Sequence, residues 1–144
     1  MLGIKPNNKL VKLAPFVREA LAFAEAERVL GPHQCLTTGH LLLGLLRVDV
    51  EIINILHELG VDLKFVRGLV HSAIRYSSVE KCRKGWSSEL GQLISHYCTL
   101  LHIQQEKAEH ELLVLQLVSQ PNSIGSQILA SLGVTKENFS KPNQ

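Results

Sequence analysis

The sequence predicts an all-α fold, one compact domain of two pseudo-symmetric four-helix units. Three observations point there. Apolar residues recur at helical spacing through most of the chain, and no stretch alternates apolar and polar residues over more than a few positions, so no strand is expected. Hydrophobic residues make up 45% of the 144 residues and aromatics only 5%, so the core must be leucine, isoleucine, valine and alanine, which suits helices packed on helices. A leucine-rich segment of the first half also returns, altered, in the second.

Residues 1–12 are polar and basic and are expected to be flexible. Pro15 suits a first helical turn, where its missing N–H would have no partner in any case. The run "PFVREALAFAEAERVL" then proceeds to Gly31-Pro32, a stop signal. Phe16, Ala20, Phe23, Ala24 and Glu27 fall on one side of that helix, and Glu27 alone breaks the apolar stripe.

Thr37 or Thr38 caps the second helix, whose body is "HLLLGLLR". It carries no charge until Arg47 and is far shorter than the roughly 20 apolar residues a membrane span needs. A helix apolar all round must be buried on every side. Asp49 caps a third helix with Ile52, Ile53, Leu56 and Leu59 as its apolar face, and Gly60 ends it. Asp62 starts a fourth, with Leu63, Val66, Leu69, Val70 and Ala73 inward. Residues 77–87, "SSVEKCRKGWS", read as a connector, and periodicity resumes at Ser88 with Leu90, Leu93, Ile94, Tyr97 and Leu101.

"His40-Leu-Leu-Leu-Gly-Leu-Leu" returns as "His110-Glu-Leu-Leu-Val-Leu-Gln-Leu", and "Ile55-Leu-His-Glu-Leu-Gly-Val" as "Ile128-Leu-Ala-Ser-Leu-Gly-Val". A short insertion within "SQPNSIGSQ" reconciles the two offsets. The chain thus divides into a first repeat over 13–76, a linker over 77–87, a second repeat over 88–140 and a tail over 141–144. Each half holds one central apolar helix that its neighbours enclose. Where the first half has Gly31-Pro32, the second has "HIQQEKAEH", rich in helix formers, so the fifth helix either extends there or gives way to a loop.

These paired segments resemble the Clp N-terminal domain, the double-repeat helical module at the front of Clp unfoldases. Thr38–Arg47 with Ile55–Leu63 is similar to its first unit, and Glu109–Leu113 with Ile128–Val134 to its second. The resemblance covers roughly residues 13–140. It implies an all-α Clp N-domain-like bundle that docks substrates, adaptors or Clp subunits as an accessory or adaptor-like part of a Clp protease or unfoldase system. The sequence contains no G-x-x-x-x-G-K-[ST] phosphate loop, so these residues are not the motor. Some family members bind phosphorylated arginine through a glutamate in each half. Gly39 stands at the first of those positions and Glu109 at the second, so one of two carboxylates is missing. A small-molecule or phosphoarginine-like sensor using the groove between the halves is the alternative reading.

The expected partner-binding residues are Thr38, Gly39 and Glu109 at that groove, with Lys81, Arg83, Lys84 and Trp86 on the linker, since tryptophan and arginine are common interface anchors. His40 and His110 read as packed histidines whose ring nitrogens bond the backbone or a neighbouring helix. His96, Cys98 and His102 invite a metal reading, but zinc wants a third and fourth ligand at defined spacing, and Cys98 reads as a core residue. No metal or cofactor is expected. No nucleophile–base pair stands out, so no enzyme is expected. The net charge of +2 is too small to indicate a nucleic-acid partner. Neither a signal-peptide run nor a membrane span is evident, and the free chain is expected to be a monomer. Cys35, Cys82 and Cys98 lie far apart, and their odd count reads as reduced thiols in a cytosol-like compartment. The cytoplasm is the expected location, with the plastid stroma as the alternative.

Overall fold

Proline, glycine and aspartate punctuate the chain where it folds. The computed structural model describes residues 15–31, 33–103 and 109–140. The flexible N-terminus expected over 1–12 and the tail over 141–144 lie outside the described residues. The elements run α1 (Pro15–Leu30), β1 (Cys35–Leu36), α2 (Thr38–Val48), α3 (Val50–Glu58), α4 (Leu63–Tyr76), β2 (Gly85–Trp86), α5 (Ser88–Ile103), α6 (Glu109–Ser119), α7 (Ile124–Ser131) and α8 (Glu137–Ser140). Four of these helices precede the linker and four follow it.

Helix α1 starts at Pro15 and buries Val17, Ala20, Leu21, Ala24 and Glu27. Phe16 and Phe23, expected inward, are only half-buried, and the Arg47 guanidinium lies over the Phe23 ring at 5.2 Å. Glu27 is fully buried, yet it does not stand alone. Arg67 on α4 meets both of its carboxylate oxygens at 2.8 Å, and Arg47 on α2 comes within 2.7 Å. The hydrogen bonds from Arg67 hold its carboxyl below the ordinary glutamate range against the opposing effect of burial. The break in the apolar stripe is therefore a three-helix ion cluster.

Helix α2 is the centre of the molecule. Every residue from Thr38 to Leu46 is buried. Thr37 is its cap, and the Thr37 hydroxyl accepts from the amides of Gly39 and His40. His40 completes a capping box, its Nδ1 accepting from the Thr37 amide at 3.0 Å. Helices α1, α3, α4 and α7 pack around α2. A Cβ at Gly44 would lie 2.2 Å from the Ala20 carbonyl oxygen and 2.9 Å from the Ala24 nitrogen, so only glycine lets α2 sit directly on the α1 backbone. Each leucine enclosed here stabilises the fold by roughly 1.5–3 kcal/mol before ordering costs.

Asp49 caps α3 by accepting from the Glu51 amide at 3.0 Å, and Asp62 caps α4 by accepting from Phe65 at 2.9 Å. Ile52, Leu56, Val66 and Val70 are buried. Leu59 is not inward as expected; it is 48% exposed because α3 stops at Glu58 and Leu59 already belongs to the turn before Gly60. In the second half Leu90, Leu93, Ile94, Tyr97, Leu112, Leu113, Val114, Leu117, Ile128 and Leu129 join the same continuous core. Helix α5 reaches Ile103, and the extension considered for "HIQQEKAEH" falls largely outside the described residues. Among the described residues no helix is long and apolar enough to cross a membrane.

Two expectations are corrected here. The fold does contain a strand pair: β1 and β2 run parallel, with Cys35 opposite Gly85 and Leu36 opposite Trp86. Each is two residues long, too short for an alternating pattern to show. The expectation of reduced thiols fails for two of the three cysteines. Cys35 and Cys82 form a disulfide across 47 residues, with Cα atoms 5.7 Å apart. The pairing of β1 with β2 brings the linker back beside β1 and so sets the two thiols together. Cys98 takes no part in the disulfide and is half-buried.

Candidate functional site

The linker is held at three points. Its disulfide joins β1, its β2 pairs with β1, and Glu80 reaches into the core. Glu80 is 5% exposed and has a left-handed backbone, φ 60°. Its carboxylate accepts from the Thr38 amide at 2.8 Å, the Thr38 hydroxyl, the Ser87 hydroxyl at 2.6 Å and the Ile124 amide at 2.6 Å. Thr38 and Ile124 open α2 and α7, so two helix N-termini, each carrying partial positive charge, converge on one buried anion. The Thr38 hydroxyl in turn accepts from the Gly125 amide at 2.8 Å.

This junction decides the fate of the expected groove. Thr38 and Gly39 are buried, and α7 lies over them. A Cβ at Gly39 would sit 2.8 Å from Ile124 Cγ2 and 3.0 Å from Val70 Cγ1. Both polar groups of Thr38 are spent on Glu80 and Gly125. Neither residue offers a surface to a partner, because the chain's own α7 occupies that place. Glu109 opens α6, and its side chain lies outside the described residues, as does that of His110.

The linker residues divide. Lys81, Arg83 and Lys84 are exposed. Trp86 is half-buried and packs against the core, so its ring supports β2 rather than standing out as a contact platform. The Lys81 ammonium donates to the Ile74 carbonyl at 2.9 Å, capping the last turn of α4.

An open groove of about 450 Å³ lies beside that turn, lined by Gly31, His33, His71, Ser72, Arg75 and Tyr76. The His71 ring of α4 reaches over Gly31, just past the end of α1, so that a Cβ there would meet His71 Cε1 at 2.2 Å. His33 Nε2 and His71 Nδ1 share a hydrogen bond of 2.6 Å. Burial, then the nearby His71, Arg28 and Arg75, lowers the His33 pKa. Behind them the His40 ring lies 5.5 Å from that of His33. Burial, reinforced by His33, His71 and Arg28, pushes the His40 pKa down to about 3. His40 is thus the packed, backbone-bonded histidine its position suggested.

A second groove, of about 420 Å³, is lined by Gln92, Leu93, His96, Gln116, Ser119, Gln120 and Pro121 between α5 and α6, with no lysine, arginine or carboxylate in its lining. No cluster of three or more metal-ligating side chains occurs among the described residues.

No model of a known protein family matches the chain, and no curated protein matches it.

Sequence reasoning missed Glu80, His33, His71, Arg75 and Tyr76. For Glu80 the only signal was its isolation: it is the sole carboxylate between Asp62 and Glu89. Tyr76 is 79% exposed at a helix end, a large aromatic left in water.

Proposed function

We propose that this chain is a non-catalytic protein-binding module, an accessory or adaptor-like component of a Clp unfoldase–protease system that docks substrates, adaptors or Clp subunits. The paired segments around His40 and His110, and around Leu59 and Leu132, underlie the Clp assignment. The observation that carries the docking role is the fixed basic linker. The Cys35–Cys82 disulfide, the β1–β2 pairing and Glu80 pin residues that would otherwise wander, and Lys81, Arg83 and Lys84 project from this pinned segment. A surface already ordered before binding loses less conformational freedom on association.

The leucines of α2 are spent on packing, so recognition falls to the outer face instead of the groove between the halves. The proposed place of action is whichever compartment holds the Clp protease, cytoplasm or plastid stroma; this rests on the Clp resemblance alone, since Cys35 and Cys82 are bridged and the reduced-thiol argument falls. Affinity purification from a native extract under mild lysis tests the role. A Clp unfoldase or protease subunit should co-purify, and its consistent absence would defeat the assignment.

A further inference from the structure

The groove between α1 and α4 deepens the proposed docking role, on which its reading rests, by specifying the chemistry of the docked partner. Leu30 and Tyr76, the last residues of the two helices, are 65% and 79% exposed. Tyr76 lines the groove, as does Gly31, the residue after Leu30.

Charge along the segment that forms the α4 side of the groove is one-sided, and Arg75 is the charged residue in the groove's lining. From residue 63 to residue 88 the chain carries Lys64, Arg67, Arg75, Lys81, Arg83 and Lys84 against a single carboxylate, Glu80. Glu80 is turned inward and bound to internal donors, and Arg67 is matched by Glu27. Arg28, near the α1 end, is matched by Glu25, which it meets at 2.6 and 2.8 Å. Arg75 lines the groove and makes no ion pair among the described residues. The last-turn carbonyls of α4 would oppose an anion, but Lys81 already covers that of Ile74.

We infer that this groove seats an acidic peptide segment of a partner protein, one that carries a large apolar side chain among its carboxylates. Arg75 supplies a planar fork that a carboxylate meets at two points. Tyr76 supplies the apolar seat, and Ser72 with the His33–His71 pair adds hydrogen-bonding groups to the lining. Single-stranded nucleic acid fits less well, because the chain's net charge is only +2.

The test uses the full chain and three fluorescein-labelled probes read by anisotropy: a nine-residue peptide alternating aspartate with phenylalanine, its asparagine counterpart, and an oligothymidylate. The acidic peptide should bind about tenfold more tightly than the asparagine peptide, weaken with added salt, and lose about tenfold with Arg75→Glu. Tyr76→Ala should weaken it severalfold. Both side chains are exposed, so circular dichroism should be unchanged. Equal binding of the two peptides, indifference to Arg75→Glu, or oligothymidylate binding as tightly as the acidic peptide would overturn the inference. If a Clp subunit co-purifies equally with wild type and Arg75→Glu, the seat falls and the accessory role stands. If the acidic peptide needs Arg75 but no Clp subunit co-purifies, the accessory role falls and the seat stands.

Discussion

The carboxylate of Glu80 accepts a hydrogen bond from the Thr38 amide at 2.8 Å, across 42 residues of sequence. That bond ties the linker to the start of the central helix, and the companion bond from Ile124 ties both to α7. Glu80→Ala would leave the Thr38, Ser87 and Ile124 donors buried without an acceptor. Hydrogen bonds to a charged group are worth about 1.5–3 kcal/mol each, and orphaned donors cost comparably. We expect a loss of about 3 kcal/mol or more in urea unfolding. Glu80→Gln should also destabilise, because its amide nitrogen would face donors. An unchanged midpoint for both variants would show that the junction is not structural.

The contact between α1 and α2 leaves no room for a methyl group at Gly44. Gly44→Ala should therefore destabilise by about 1–3 kcal/mol or more through overpacking, although alanine is the better helix former. Leu43→Asp and Leu113→Asp go further, since each places an unpaired charge where the native side chain is fully buried. Both should abolish the cooperative unfolding transition. A soluble, fully helical Leu43→Asp protein would show that α2 is not central.

Acid should weaken the fold through His40. Its pKa is about 3 in the folded chain against an ordinary 6.5, because burial and neighbouring positive charge disfavour the imidazolium. Below pH 6.5 the unfolded chain binds a proton that the folded chain refuses. Stability is thus complete above pH 6.5 and falls as pH drops toward 3, by at most about 1.4 kcal/mol per unit for this group. His33 acts in the same direction, and Glu25 and Glu27, with lowered pKa values, add to the loss below about 4.5. His40→Gln removes the proton-binding group while keeping the capping-box type, since glutamine is an ordinary partner there. Its urea midpoint should depend less on pH between about 6.5 and 5 than that of wild type. An identical slope would mean that His40 carries no linkage.

The Cys35–Cys82 bridge closes a long loop and constrains the unfolded chain. For a separation of 47 residues the loop-entropy argument gives about 4 kcal/mol as a ceiling. Unfolding with and without dithiothreitol should show a clear fall in midpoint on reduction, and the Cys35→Ala, Cys82→Ala double variant should match the reduced protein and ignore the reductant. Equal midpoints for oxidised and reduced wild type would contradict a stabilising bridge.

The elements legible in the sequence are those set by neighbours a few residues apart. Pro15 opening α1, Gly31 closing it, Asp49 and Asp62 as caps, and Gly60 as a stop all act within one helical turn, so the chain displays them directly. The buried face of α2 was legible because its run of leucines leaves no polar side. What stayed hidden depends on contacts far along the chain. Glu27 was visible as a break in a stripe, but its partner Arg67 lies 40 residues away. Glu80 sits in a polar linker and reads as solvated, and only the placement of α2 and α7 makes it a buried acceptor. The same holds for Cys35 and Cys82. The candidate site was half legible: the basic linker residues stand out by charge, whereas the closing of the groove at Thr38 and Gly39 depends on α7 packing against α2. Arg75 and Tyr76 look like an ordinary helix end until the His71 ring over Gly31 and the His33–His71 bond set the chain beyond α1 beside them.

The central claim, docking onto Clp machinery without catalysis, is tested most directly with purified components. Sedimentation of the full chain mixed with an isolated Clp protease core, and separately with its unfoldase, reports association without any extract. The chain should move with at least one of the two assemblies and leave it when Lys81, Arg83 and Lys84 are all replaced by Glu. A chain that sediments at its own size in both mixtures would contradict the account.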